Sequence, residues 1–348
     1  DVNPAARGGV ETLLAAGVTV ETGVMEDACR LSMLDFITWQ TTERPYVILK
    51  MASTLDGHIA SRMGKPEAVS SEASREVVMR LRGGVGAAGG AVLVGANTLF
   101  IDNPRLTARV EGTEREPLAA MPTRRLPSPE ANLNILQQRP ADCVFFTTAA
   151  QAASPGAQAL REKGVRVYGL EPDERGQGLD LLQMLHLLRE QEQCHYVLCE
   201  GGARLATNLL ENGLVDDFRL HLAPRVLGDE DAPSLFCGRV CGSMEETLNL
   251  RLVSMRNIGG DCHLRYVSGL ESACLQGCGT VTSVAAASGQ LRLGIRPHFA
   301  WEKPLQGESV AVNGACLSVE GWDGFSFRTY ASAETLACTM LGSLSRGD

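Results

Sequence analysis

The stretch VLCEGGARLATNLL, residues 197–210, decides the fold. An apolar run ends on a lone carboxylate, Glu200. Two glycines follow, and then a segment of small and apolar residues with helical spacing. Strand, glycine turn and helix start are the ingredients of a phosphate cradle, because the first N–H groups of a helix lack partners and its dipole favours negative charge. The spacing is neither G-x-G-x-x-G nor G-x-x-x-x-G-K-[ST]. A tight strand-to-helix turn accounts for the glycines equally well, and both readings stay open.

On either side of this stretch, short apolar runs alternate with amphipathic segments. YVILKMAS from Tyr46, AVLVGA, CVFFTT, VRVYGL and HYVLCE read as strands. Ser71 to Arg82, AQALREKG, residues 179–192 and residues 203–212 read as helices. That alternation predicts an α/β fold, a mostly parallel sheet covered on both faces. FRLHLAP and CHLRYV come without helices and predict an antiparallel end. GGVGAAGG, residues 83–90, reads as a flexible insert. The Asn-Pro of FIDNPRLTARV marks a turn. Ahead of this unit, residues 5–16 read as a helix, VTVE as a strand and Met25 to Phe36 as a second helix, with TTERP as a linker. After Ser268 the chain becomes short strands with glycine turns, which predicts a small C-terminal antiparallel β-barrel. The expected divisions are 1–40, 44–268 and 269–348.

With 348 residues, two or three domains are expected. A net charge of −9 argues against a nucleic-acid partner. No apolar run is long enough to span a membrane. The eleven cysteines are scattered beside apolar residues, the usage of reduced thiols in a cytoplasmic protein. Cys237 and Cys241 lack further ligands of matching spacing, so no metal site is expected.

Four features carry chemistry. Lys50 sits within an apolar strand, as either an edge-strand residue or a buried functional amine. Arg82 and Arg109 stand near loop starts, as either solvated side chains or forks for phosphate oxygens. Glu200 with Gly201 and Gly202 is the fourth. None is specific alone.

In order, RPYVILKMASTLDGHIA (44–60), SSEASREVVMRLR (70–82), AVLVGANTLFIDNPRLTAR (91–109) and VLCEGGARLATNLLENGLVDDFRLHLAPRVLG (197–228) resemble the reductase domain of the bifunctional riboflavin-biosynthesis deaminase/reductase. The resemblance covers about residues 44–268. It implies a dihydrofolate-reductase-like fold, NADPH as cofactor and 5-amino-6-(5-phosphoribosylamino)uracil as substrate, its ribose opened to ribityl. It implies that Lys50 and Asp102 lie near the reacting ribose. Arg82, Arg109 and the backbone of Leu106 match the ribose-phosphate site, and Glu200 a substrate-binding carboxylate. Ala52, Thr98 and Asp102 match cofactor contacts, as do Gly202, Ala203, Arg204, Leu205, Ala206, Thr207 and Asn208. A cytoplasmic homodimer is implied as well. The sequence departs from the family at Pro66 and Ala68, where a serine and a tryptophan are usual, and in the longer GGVGAAGG. These departures favour an alternative, a pathway relic that binds NADPH or flavin without turnover; a same-fold reductase of another pyrimidine or pterin is a further one.

The two ends resemble neighbouring enzymes of that pathway. Residues 1–36 are similar to the C-terminal tail of the deaminase domain, without its zinc motif. VNGACLSV and ETLACTMLG are similar to the first barrel of riboflavin synthase, where Ser309, Cys316 and Thr339 match a flavin or lumazine site. Neither deaminase nor synthase activity is expected of this chain.

Overall fold

Tyr46–Ser53 is apolar at almost every position, as a strand covered on both faces must be, and it lies inside the main sheet. The computed structural model describes residues 8–63, 68–110, 112–173, 175–176, 178–268, 279–287, 289–298, 307, 309–313 and 315–347. The chain divides into two compact units, Asp1–Glu21 with Ala28–Leu270, and Thr22–Asp27 with Glu271–Asp348.

The first unit runs α1 (Gly9–Ala15), α2 (Glu26–Ser32, whose first two residues are counted with the second unit), α3 (Leu34–Thr41), β1 (Tyr46–Ser53), α4 (Glu72–Ala87), β2 (Ala91–Leu93), α5 (Ala96–Asp102) and β3 (Leu118–Pro122). It continues with α6 (Asn134–Gln138), β4 (Cys143–Thr148), α7 (Ala149–Ala152), α8 (Pro155–Glu162), β5 (Arg166–Leu170), α9 (Leu181–Glu190), β6 (Tyr196–Cys199), α10 (Ala203–Glu211), β7 (Asp217–Leu222), β8 (Arg251–Ile258) and β9 (Asp261–Val267). Nine strands form one sheet in the order β5-β4-β3-β2-β6-β1-β7-β9-β8. It is parallel from β5 to β7 and antiparallel from β7 to β8. Alternation along β1 supplies two cores. Val47, Leu49 and Met51 pack with α9 and α10 through Met184, Leu185, Leu188, Ala206 and Leu209. Tyr46 and Ile48 join Val85 of α4 and Leu160 of α8 in the other core. The α/β architecture expected from the alternation is the one observed.

Local expectations fail where tertiary contacts take over. GGVGAAGG is no insert, since α4 continues through Ala87. A Cβ on Gly86 would overlap the Arg115 carbonyl oxygen and the Pro117 ring, and one on Gly90 the Tyr196 carbonyl oxygen. These glycines serve close backbone approach. VTVE is irregular and largely exposed, and pairs with no strand among the described residues. The helix expected over Met25 to Phe36 breaks at Met33 into α2 and α3. The Asn-Pro turn is where it was expected, with Asn103 at φ 43°; what the sequence pattern did not signal is the helix it ends, α5. β8 extends the antiparallel end by a strand that the sequence pattern did not signal.

The segment leading into β1 is tied to this sheet. Arg44 forks onto Asp216 at 2.7 and 2.8 Å, and the same carboxylate accepts the Val47 N–H at 2.7 Å. Trp39 stacks on His195 at 4.0 Å with the Arg189 guanidinium over its ring at 3.8 Å, and Tyr196 donates to Asp35.

The second unit holds β10 (Gly279–Ala287), β11 (Gln290–Pro297), β12 (Ser309–Val312), β13 (Ala315–Trp322), β14 (Phe327–Ala331) and α11 (Ala333–Cys338). Its sheet is antiparallel, in the order β10-β11-β14-β13-β12. Leu293, Ile295, Leu317, Val319, Phe327 and Leu341 are buried in its core.

Candidate active site

In an open parallel sheet, ligands bind beyond the carboxyl ends of the strands. Leu49 of β1 pairs with Cys199 of β6, so Lys50 and Glu200 follow at matched positions on neighbouring strands. Lys50 continues the β1 face that meets α4. Among the described residues its Nζ has no hydrogen bond or ion pair. Burial pushes the amine below the ordinary lysine value; the Arg82 charge adds to this, while Glu200 and Asp261 oppose it.

Arg82 descends from α4 and meets Glu200 in a bidentate pair, Nε to Oε1 and Nη2 to Oε2, both at 2.6 Å. Their side chains are 9% and 8% exposed. Nη1 donates to the Thr107 carbonyl oxygen at 2.9 Å. The residues matched to phosphate and to substrate thus hold each other, which the sequence could not indicate.

Thr107 belongs to a loop in which Asn103, Leu106 and Arg109 all have left-handed backbone, at φ 43°, 54° and 52°. That region is costly for side chains other than glycine, and strain of this kind gathers at functional sites. Arg139 and Glu116 clamp the loop, through the Leu106 carbonyl oxygen at 3.1 Å and the Ala108 N–H at 2.6 Å. The Leu106 side chain is buried, and the Arg109 side chain is exposed with no partner among the described residues.

Two helix starts face each other beside this loop. Gly95 caps α5 and Gly202 caps α10, neither with a side-chain cap. Gly201 and Gly202 adopt φ 128° and 90°, and a Cβ on Gly202 would lie 3.6 Å from Gly95 Cα. This cradle fits the pyrophosphate of a dinucleotide, offering bare backbone and free N–H groups at a helix start. Thr98 stands at its edge, its Oγ1 3.8 Å from where a Gly201 Cβ would be. Among the described residues, the first N–H groups of the helix, those of Ala203, Arg204 and Leu205, make no backbone hydrogen bond. The Ala206 N–H already bonds the Gly202 carbonyl oxygen, and Ala206 is fully buried. Thr207 is buried and bonds Ala203 and Cys237, so both support the cradle from within. Asn208 and Ala52 are half-buried. Asp102, exposed at the end of α5, has its carboxyl pKa raised by partial loss of water. Ala68 is exposed, its carbonyl oxygen 3.3 Å from Arg225 Nη1; Pro66 lies outside the described residues.

Sequence reasoning missed a polar network next to Lys50. His221 of β7 stacks on His263 of β9, ring centroids 3.6 Å apart. Ser74 of α4 donates to Asp261 Oδ2 at 2.6 Å and so accepts from His263 Nε2 at 2.7 Å. Asp261 also accepts the Ser71 N–H at 2.7 Å. His221 is 3% exposed, and its Nδ1 has no hydrogen-bond partner among the described residues. Burial first, then the Lys50 and His263 charges, lower its pKa to about 3. His221 aligns with Ala52 across the β1–β7 pair, which makes it a diagonal neighbour of Lys50. The only sequence signal was alternation along FRLHLAP and CHLRYV, which says nothing of pairing.

In the second unit, Ser309 pairs with Ser318 and Cys316 with Ala311 across β12 and β13. Thr339 closes α11, donating to the Thr335 carbonyl oxygen at 2.7 Å. Among the described residues, no group of three His, Cys, Asp or Glu side chains could hold a metal ion, and no helix is long and apolar enough to cross a membrane.

Residues 45–264 match the model of the RibD C-terminal domain family. The chain belongs to that family. It is an enzyme of riboflavin biosynthesis with a pyrimidine-reductase domain, of a family that uses nicotinamide cofactors. Residues 272–348 match the lumazine binding domain family. The riboflavin biosynthesis protein RibD of Aquifex aeolicus is 36% identical over 263 residues, 75% of this chain and 68% of that one. RibD of Acinetobacter baumannii has a TM-score of 0.60 at 29% identity, over 77% of this chain and 70% of that one. A Thermotoga maritima diaminohydroxyphosphoribosylaminopyrimidine deaminase/5-amino-6-(5-phosphoribosylamino)uracil reductase has a TM-score of 0.59 at 26% identity, over 77% and 69%.

Proposed function

We propose that this chain reduces 5-amino-6-(5-phosphoribosylamino)uracil to its ribitylamino product with NADPH. The observation that carries this reading is the convergence of Lys50, the Arg82–Glu200 pair and the Gly95–Gly202 cradle on one row of strand ends. When bound, NADPH supplies the hydride that reduces C1′ of the sugar. The ribose ring oxygen leaves C1′ as a hydroxyl and needs a proton, which Lys50 holds at Nζ. Asp102 is the second group that would steer protons there. Glu200, oriented by Arg82, accepts hydrogen bonds from the pyrimidine. Arg109 and the N–H groups of its loop take the sugar phosphate, with Arg82 behind them.

Residues 1–40 are read as the end of a deaminase domain, and residues 269–348 as a lumazine-binding module with Ser309, Cys316 and Thr339 at its ligand site. The decisive experiment follows NADPH consumption with substrate generated in place by a separate deaminase. Consumption that requires both reactants, and is much slower with NADH, supports the assignment. NADPH binding without consumption refutes it.

A further inference from the structure

The strand order β6-β1-β7-β9 sets Glu200, Lys50, His221 and His263 side by side across one face of the sheet. The pairings place them: Leu49 opposite Cys199, Ala52 opposite His221, and His221 opposite His263. Lys50 is half-buried, and its flexible four-carbon stem gives Nζ reach along this face. Two of these groups are incomplete. Lys50 Nζ is a donor without an acceptor among the described residues. His221 Nδ1 is a buried atom with no hydrogen-bond partner among them. Buried polar atoms are nearly always paired, so such an orphan needs an explanation.

The surroundings of His221 hold its ring neutral. Asp261 takes the Ser74 hydroxyl proton, Ser74 accepts from His263 Nε2, and His263 stacks on His221. The charged and titratable groups that face His221 are Lys50 of β1, Arg219 of its own strand, and Asp261 and His263 of β9. Burial first, then the Lys50 charge, keeps the ring deprotonated down to about pH 3. A neutral imidazole has one bare nitrogen, which accepts.

We propose that His221 Nδ1 accepts a hydrogen bond from the Lys50 ammonium and so positions it for the proton step. The inference rests on the reading of Lys50 as the proton holder given above. On the β6 side of Lys50, the Glu200 carboxylate is already engaged by both Arg82 bonds. Arg219 is aligned with Lys50 but turns to Asp217, at 2.9 Å from Nη2. The unused acceptor is therefore on the β7 side. His221 acts through Lys50 and is a positioning residue with no proton of its own to give. An acceptor favours the ammonium over the amine, so it raises the Lys50 pKa against the burial that lowers it.

The test compares His221→Phe, which keeps a ring against His263, with His221→Asn, whose side-chain oxygen takes the place of Nδ1. NADPH consumption by the full chain is followed across the neutral and alkaline range. His221→Phe should lower kcat roughly tenfold to a hundredfold, as expected for losing one hydrogen bond to a charged group. Its alkaline limb should move to lower pH by about one unit or more, and KM for NADPH should hold. His221→Asn should keep the limb in place and recover part of kcat. A limb that stays put in His221→Phe overturns the proposal, because structural damage alone lowers kcat without moving it. Normal turnover in Lys50→Ala would instead remove the Lys50 reading, and this inference with it. If His221→Phe does not fold, nitrogen NMR of the unaltered chain with isotope-labelled histidine decides. The His221 signals, identified by their absence in His221→Asn, should respond to the alkaline titration, Nδ1 more than Nε2, and stay still in Lys50→Met. An Nδ1 signal that ignores that titration overturns the proposal.

Discussion

Arg82 and Glu200, 118 residues apart in sequence, form a two-bond fork at 2.6 Å with both side chains nearly buried. Removing one partner of such a pair leaves a charge without compensation. Glu200→Ala and Arg82→Met should each cost about 3–5 kcal/mol. The double variant should cost clearly less than the two together, because it leaves no orphaned charge. Urea denaturation of the four proteins measures this, and additive costs would contradict a coupled pair.

Lys50→Ala should abolish turnover and leave NADPH binding largely intact. In the unaltered enzyme the working form is the ammonium, present below its pKa. Burial, reinforced by Arg82, brings that pKa down. Activity should therefore fall as pH rises through a value below the ordinary lysine value of about 10.4. A kcat–pH profile flat across that alkaline range would remove Lys50 from the proton step.

His221 makes stability depend on acid. Its ring titrates near 6.5 when unfolded and at about 3 when folded. Between those values only the unfolded state takes the proton, so stability drops as pH falls through this window. The slope is at most about 1.4 kcal/mol per pH unit. His221→Phe should flatten it. Denaturation midpoints near neutrality and midway through the window, compared for both proteins, decide the matter.

The Arg109 backbone, at φ 52°, sets stability against function. Arg109→Gly removes the left-handed strain, worth about 1 kcal/mol net of glycine's added freedom. Thermal stability should hold or rise, while KM for the phosphorylated substrate climbs. A variant that loses stability would show that the Arg109 side chain itself braces the loop.

Gly86→Ala should destabilise by about 1–3 kcal/mol, because its methyl would push Arg115 and Pro117 away from α4. Gly84→Ala, with open space around the new methyl, should be neutral or stabilising by up to about 1 kcal/mol. Melting temperatures of the two variants test whether the glycines of 83–90 serve packing or flexibility.

Much of the fold was legible because periodicity is local. A run such as YVILKMAS declares a strand covered on both faces. Alternation with amphipathic helices declares a parallel sheet, since consecutive parallel strands need a crossover. GGVGAAGG misled because composition reports conformational freedom, whereas Gly86 and Gly90 answer to carbonyl oxygens at Arg115 and Tyr196. VTVE misled because strand propensity counts only where a strand is paired, and these residues pair with none among the described ones.

The sequence by itself determined the alternating architecture, the antiparallel end, Lys50 within a strand, and Glu200 with two glycines at a helix start. Through long collinear motifs it also determined the family. Only the tertiary structure decided that Arg82 faces Glu200, that three residues of the 103–109 loop turn left-handed, and that His221 stacks on His263 beside Lys50. The division has a physical cause. Hydrophobic spacing is fixed within a few residues, whereas a pairing between side chains on different elements depends on strand order, which spacing does not encode.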